Sequence, residues 1–214
     1  PLNLEPFIFD CEVFAYDWLF VFKNKVTGEY TVIWNDNEAV EQFMTQEPLL
    51  AGFNNKHYDQ FILKAVLSGF TPEEIKAVND FIIVGGHEGW EYAPLRDCGI
   101  FFDQYDLMDD CQMGLSLKAI EAHLGMDIRE TTVPFNIDRP LTEDEKQEVE
   151  FYCRHDVDAT DRLDDLRQGY LKSKIAVGGM VGIPPEKALY MTNAKLTAEF
   201  LGAEAKEHDD ERKY

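Results

Sequence analysis

Several carboxylates in this chain stand at spacings that can hold a divalent cation. Asp10 and Glu12 follow the apolar run Phe7-Ile8-Phe9. On a strand, residues two apart share a face, so this pair would project its oxygens together. Hard cations such as Mg²⁺ take oxygen ligands and keep several waters. The same Asp-x-Glu spacing recurs at Asp36/Glu38 and Asp209/Glu211 without an apolar strand before it, so the strand context carries the weight. A second segment, Leu50 to Asp59, runs from an apolar strand through an amide-rich turn into a helix start. Asp59 there could ligate a cation, or only complement the helix dipole, with Asn55 or His57 as the cap. In the third segment Tyr152 and Asp156 lie four apart, on one helix face beside the apolar stripe Val149, Cys153, Val157 and Thr160. Tyr152 could equally be a core residue with a satisfied hydroxyl.

Together these segments resemble the DEDD exonuclease superfamily, and within it the tyrosine subclass found in polymerase proofreading domains. The resemblance runs from about Phe7 to Leu166. Asp10 and Glu12 match the first motif. Gly52-Phe-Asn54-Asn55-Lys-His-Tyr-Asp59 looks like the second motif as family B polymerases carry it, and Tyr152-x-x-x-Asp156 matches the third. The histidine subclass would need His where Phe151 stands. The resemblance implies an α/β, RNase H-like (DnaQ-like) fold, a mixed five-stranded sheet with helices on its faces.

It also implies two divalent cations, Mg²⁺ or Mn²⁺, and release of nucleoside 5′-monophosphates from DNA 3′ ends. Asp10 would bridge both cations, Glu12 and Asp156 would complete the site that activates water, and Asp59 would act on the second through water. Tyr152 would orient the attacking water. Either Asn54 or Asn55 would contact substrate, with Asn54 favoured. Phe14, Tyr16 and Phe53 are candidates for stacking on the terminal base, and each is also a candidate core residue. The partners implied are a single-stranded or frayed DNA 3′ end and a polymerase domain in cis or in trans, at the replication machinery inside the cell. A viral or plasmid origin is compatible with the compact motifs. An exoribonuclease on the same fold and a catalytically silent docking module stay open as alternatives.

The elements that must position these residues read as follows. Pro6 to Val13 is a buried strand, and Trp18 to Phe22 with Tyr30 to Trp34 form a hairpin turning at Thr27-Gly28. Weak helical spacing covers Asn37 to Gln46, a strand Leu49 to Phe53, and a helix Tyr58 to Leu67. Thr71-Pro72-Glu73-Glu74 is a capping box that opens a helix towards Phe81, followed by a glycine-rich loop from Gly85 to Gly89. A strand is expected at Phe101 to Met108, an amphipathic helix at Leu115 to Leu124 closed by Gly125, and a long helix from Thr142 with Glu145 in its capping box. The exonuclease domain is expected over 1–173. Gly178-Gly179, Gly182 and Pro184-Pro185 read as linker chemistry, and 174–214 as a linker and C-terminal helical segment that either leads into a polymerase domain or packs back.

The 214 residues carry 45% hydrophobic and 13% aromatic residues, an ordinary globular composition. No apolar run approaches the ~20 residues of a membrane span and no signal peptide opens the chain, which predicts a soluble intracellular protein without membrane partners. The four cysteines lack Cys-x-x-Cys pairing and read as buried free thiols. A net charge of −21 opposes direct phosphate binding unless cations mediate it. The acidic runs Glu143 to Glu150, Asp156 to Asp165 and Glu204 to Glu211 read as solvated helix faces, and the DNA as held by metals and a partner domain.

Overall fold

A computed structural model describes residues 5–111, 116–127 and 130–203. β1 (Phe7–Val13), β2 (Trp18–Asn24) and β3 (Tyr30–Trp34) form an antiparallel meander, and β4 (Leu50–Gly52) and β5 (Gln104–Asp106) extend the sheet in parallel from β1. The order β3-β2-β1-β4-β5 puts the Asp10/Glu12 strand at the centre of a five-stranded mixed sheet, as expected. β1 pairs with β2 along its whole length and with β4 at Phe7 and Ile8, which fixes the strand that aims the two side chains.

Both faces of the sheet are covered, and the aromatic and branched content of β2 reflects this. Phe9, Trp18, Phe20 and Phe22 pack on one face against Val40 and Phe43 of α1 (Asn37–Met44), Ile62 and Val66 of α2 (Asp59–Leu67), and Ile75 and Val78 of α3 (Pro72–Ile83). Ile8, Leu19 and Val21 face the opposite way, onto Val149, Cys153 and Val157 of the long helix. The capping boxes at Thr71/Glu74 and Thr142/Glu145 both form, satisfying first-turn N–H groups where the spacing predicts.

Three expectations are corrected. The fifth strand is confined to Gln104–Asp106, and Phe101 is 89% exposed. Its parallel partner β4 is itself only three residues long, so there is no ladder for Phe101 to join. The helix expected from Leu115 is α4 (Leu117–His123), capped by the Ser116 side chain; Leu115 lies outside the described residues. The long helix α5 (Glu143–Met180) runs through Ser173 unbroken, so Gly178-Gly179 is helical and not a linker. α6 (Pro185–Tyr190) folds back against α5, followed by α7 (Asn193–Leu201). A Cβ on Gly178 would sit 2.7 Å from the Ala188 Cβ, so this glycine serves close helix approach.

The acidic run along α5 is also not a solvated face throughout. Asp161 and Asp158 pair with Lys23, and Asp161, Asp164 and Asp165 with Lys25, which fastens the hairpin to α5. Asp164 is fully buried and accepts the Tyr105 hydroxyl at 2.8 Å. Among the described residues no helix is long and apolar enough to cross a membrane. Cys11 and Cys153 are free and buried, whereas Cys98 and Cys111 are free and only partly buried.

Candidate active site

Asp10 and Glu12 lie on the α5 face of β1, half-buried, in register with Val21 and Leu19 of β2. The Cys153 thiol of α5 lies 3.6 Å from Asp10 Oδ2, and ligand atoms of Asp10, Glu12 and Cys153 all fall within 4.8 Å of one another. Asp59 is the first residue of α2 and is buried; its Oδ1 accepts the Cys11 backbone N–H at 3.1 Å. That bond ties the helix start to the strand carrying Asp10 and Glu12. Asp156 and Tyr152, one turn apart on α5, line a cavity of about 350 Å³ with Glu12, Lys118 and Phe135. The residues that match the three motifs are therefore brought together at one end of the sheet.

The carboxylates raise one another's proton affinity. Asp10 is held well above the carboxylate range, chiefly by burial and then by Asp59, Glu12 and Asp156. Burial, Asp156 and Asp59 push Glu12 up to about 8, with Lys118 opposing. Burial pushes Asp59 up to about 7 although Cys11 donates to it. Asp156 is raised by burial and partly relieved by Lys118. Clustered carboxylates whose charge is resisted in this way are what a bound divalent cation would neutralise. The oxygen-rich donor set suits a hard cation, and burial keeps the Cys153 thiol protonated behind Asp10. The residues present thus fit Mg²⁺ or Mn²⁺.

Motif two is built by Asp106. Its carboxylate accepts the backbone N–H groups of Asn54 (2.8 Å), Lys56 (3.0 Å) and Met108 (2.8 Å), closing the turn after β4. Asn54 takes a left-handed conformation with φ of 65°, which an asparagine tolerates better than most residues. A Cβ at Gly52 would lie 2.9 Å from Asn55 Cβ, so the turn needs glycine there. Asn54 is half-buried and lines a shallow depression with His57 and His87. Asn55 is completely buried and hydrogen-bonded to the Gln104 side chain at 2.9 Å, which removes it as a substrate contact.

The aromatic candidates divide similarly. Phe14 is fully buried and cannot stack on a base; it stacks instead against Phe135 at 5.2 Å between ring centroids. Phe53 is partly buried against the α5-side core, and Tyr16 is half exposed. Phe135, 51% exposed on the cavity wall, escaped sequence reading because its Thr131-to-Asp138 context has no periodicity.

Lys118, on α4, reaches the third-motif carboxylate. Its Nζ lies 2.6 Å from Asp156 Oδ1 and 3.5 Å from Glu121. The available signal was the Ser116 cap, which fixes the phase of α4 and puts Lys118 and Glu121 three apart on one face. Lys56, between Asn54 and Asp59, is committed elsewhere, to Asp109 and the Tyr190 carbonyl.

No family model matches the chain, and no curated protein matches it in sequence. Among solved structures the fold is similar to that of the family B DNA polymerase from the hyperthermophilic archaeon Pyrobaculum calidifontis, with a TM-score of 0.62 and 14% identity. That match covers 98% of this chain and 32% of the polymerase, so the chain spans about a third of that protein's length. The fold is therefore an α/β, mixed five-stranded architecture of a kind that also occurs within a family B DNA polymerase.

Proposed function

We propose that this chain is a divalent-cation-dependent 3′-to-5′ exonuclease domain, acting on single-stranded or frayed DNA 3′ ends and proofreading for a polymerase domain in cis or in trans. The observation that carries it is the convergence of Asp10, Glu12, Asp59 and Asp156 from β1, α2 and α5, with Tyr152 on the same cavity wall as Glu12 and Asp156. The polymerase likeness supports the fold on which the reading depends.

Bound Mg²⁺ or Mn²⁺ would supply charge neutralisation at the phosphodiester and polarisation of the attacking and leaving oxygens. Asp10, Glu12, Asp59 and Asp156 would hold the cations. Tyr152 lines the cavity, where its hydroxyl would orient an attacking water by hydrogen bonding. Lys118 opposes the burial that raises the proton affinity of Asp156, and would add a positive charge on the side where phosphate charge grows. Phe135 offers an exposed ring for the terminal base, with Phe14 behind it. Asn54 stands on a turn held by Asp106, from which its amide would contact the terminal nucleotide.

Digestion of a 5′-labelled single-stranded DNA oligonucleotide tests this. In Mg²⁺ or Mn²⁺ it should yield a stepwise ladder and nucleoside 5′-monophosphates, and chelator should stop it. Asp10→Ala should abolish the ladder while keeping the far-ultraviolet spectrum of the folded protein. A ladder of unchanged rate in Asp10→Ala would remove the reading. A matched RNA oligonucleotide run in parallel separates deoxyribonuclease from ribonuclease activity.

A further inference from the structure

Lys56 sits in the middle of the turn that carries Asn54 and leads to Asp59, and its side chain runs to Asp109 and α6. Its backbone N–H donates to Asp106. Its ammonium pairs with Asp109, donates to the Tyr190 carbonyl at the end of α6, and lies 4.3 Å from the centroid of the Tyr190 ring. Helix C-termini carry unpaired carbonyls and partial negative charge, so a lysine there is bound by geometry as well as by charge.

The same helix end is held from its other side. Lys174 of α5 is 4% exposed, and its Nζ meets the Met191 carbonyl at 2.5 Å and the Leu189 carbonyl at 3.4 Å. It also lies 3.6 Å from Asp110. Asp110 in turn accepts the Asn193 N–H at 3.0 Å, at the start of α7, and the Tyr170 hydroxyl at 2.5 Å. The aspartates after β5 thus form one hub: Asp106 holds the motif-two turn, Asp109 holds Lys56, and Asp110 holds α5 and α7. Asn54, whose left-handed turn is closed by the Asp106 carboxylate, lies two residues from the Lys56 anchor.

We propose that Lys56 is a positioning residue through which the placement of α6 and α7 sets the Asn54–Asp59 turn, so that the C-terminal helices govern how firmly the cleft grips the terminal nucleotide. The grip rests on the exonuclease reading above; the mechanical link does not. Lys56 is then neither a phosphate contact nor mere surface charge. Whatever displaces α6 loosens motif two without touching the carboxylates on β1 and α5.

The test uses the full chain with Lys56→Met, Lys56→Arg, Asn54→Ala and the Asn54→Ala/Lys56→Met double variant. Hydrogen exchange should quicken roughly tenfold at the Asn54 and Lys56 amides in Lys56→Met, with the Val157 amide of α5 unchanged. On single-stranded DNA in Mg²⁺, Lys56→Met should raise KM roughly five- to tenfold with kcat within about twofold. Lys56→Arg should restore both, and Lys56→Met should add less than about twofold in the Asn54→Ala background. Unchanged exchange at the turn would overturn the link. An equal rise in KM in both backgrounds would overturn the positioning role and make Lys56 a direct phosphate contact. A wild-type chain without nuclease activity would count against the function proposed above, and the exchange result would still decide the link.

Discussion

The Lys118 ammonium lies 2.6 Å from Asp156 Oδ1, which joins α4 to the third motif on α5. Both side chains are partly exposed, so solvent screens the pair. Removing the cation leaves Asp156 beside Glu12 with His155 opposing the rise in its proton affinity. A charged hydrogen bond of this kind is worth about 1.5–3 kcal/mol before solvent screening, so Lys118→Met should lower kcat/KM by roughly tenfold, measured on single-stranded DNA at saturating Mg²⁺. A variant with wild-type kcat/KM would show that the ion pair is incidental.

Asp10 is crowded by Asp59, Glu12 and Asp156, so neutralising it should separate stability from function. Asp10→Asn should raise the thermal midpoint in chelator by roughly 2–4 °C, equivalent to about 1 kcal/mol in a domain of this size, and should remove nuclease activity. Calorimetry with and without Mg²⁺ checks it: the wild type should gain stability from the cation and the variant should gain little. A lower midpoint in chelator for the variant would contradict the repulsion inferred here.

The pH dependence of the metal-free protein follows from Glu12, pushed up to about 8, and Asp59, pushed up to about 7. Their unfolded values lie near about 4, so the folded protein binds these protons more tightly. That contribution is fully present below the unfolded pKa and is lost as pH rises through the folded values. Thermal midpoints in chelator should therefore fall between about pH 5 and pH 8, and Glu12→Gln should flatten the slope. Mg²⁺ should flatten it too, with proton release on binding. A wild-type slope that Glu12→Gln leaves unaltered would show that other groups set the dependence.

Phe14 and Phe135 stack on one another but should fail differently. Phe14→Ala empties a fully buried position and should cost about 3–5 kcal/mol in denaturant unfolding. Phe135→Ala removes a half-exposed ring and should leave stability within about 1 kcal/mol while raising KM several-fold, as loss of a base stack worth about 1–3 kcal/mol requires. Equal effects of the two variants on KM would remove Phe135 as the base platform.

Gly178 lets α5 and α6 approach closely. A branched side chain has no room beside Ala188, so Gly178→Val should destabilise by about 1–3 kcal/mol. Because α6 carries the Tyr190 carbonyl that receives Lys56, faster hydrogen exchange should accompany it at the Asn54–Lys56 turn. Loss of stability without any change at the turn would show that α6 can shift without consequence for motif two.

By itself the sequence determined the local frame of this protein. An apolar run before Asp10 and Glu12 meant a buried strand with both carboxylates on one face, and the Thr71 and Thr142 capping boxes placed two helix starts. Tyr152 and Asp156 shared a helical face because four residues make about one turn. Those are consequences of periodicity and backbone satisfaction, which act over a few residues. What reaches across the chain was decided only by tertiary packing. Asn54 and Asn55 are adjacent and alike in sequence, but Gln104 buries one while Asp106 props up the turn carrying the other. Phe14 went inward because Phe135 covers it, and Lys118 became part of the site because α4 packs beside Asp156. The Gly178-Gly179 pair has linker composition, yet it lies inside α5, where Gly178 leaves the space that Ala188 of α6 occupies. In each case burial and partner were set by elements distant in sequence, whose approach no local pattern encodes.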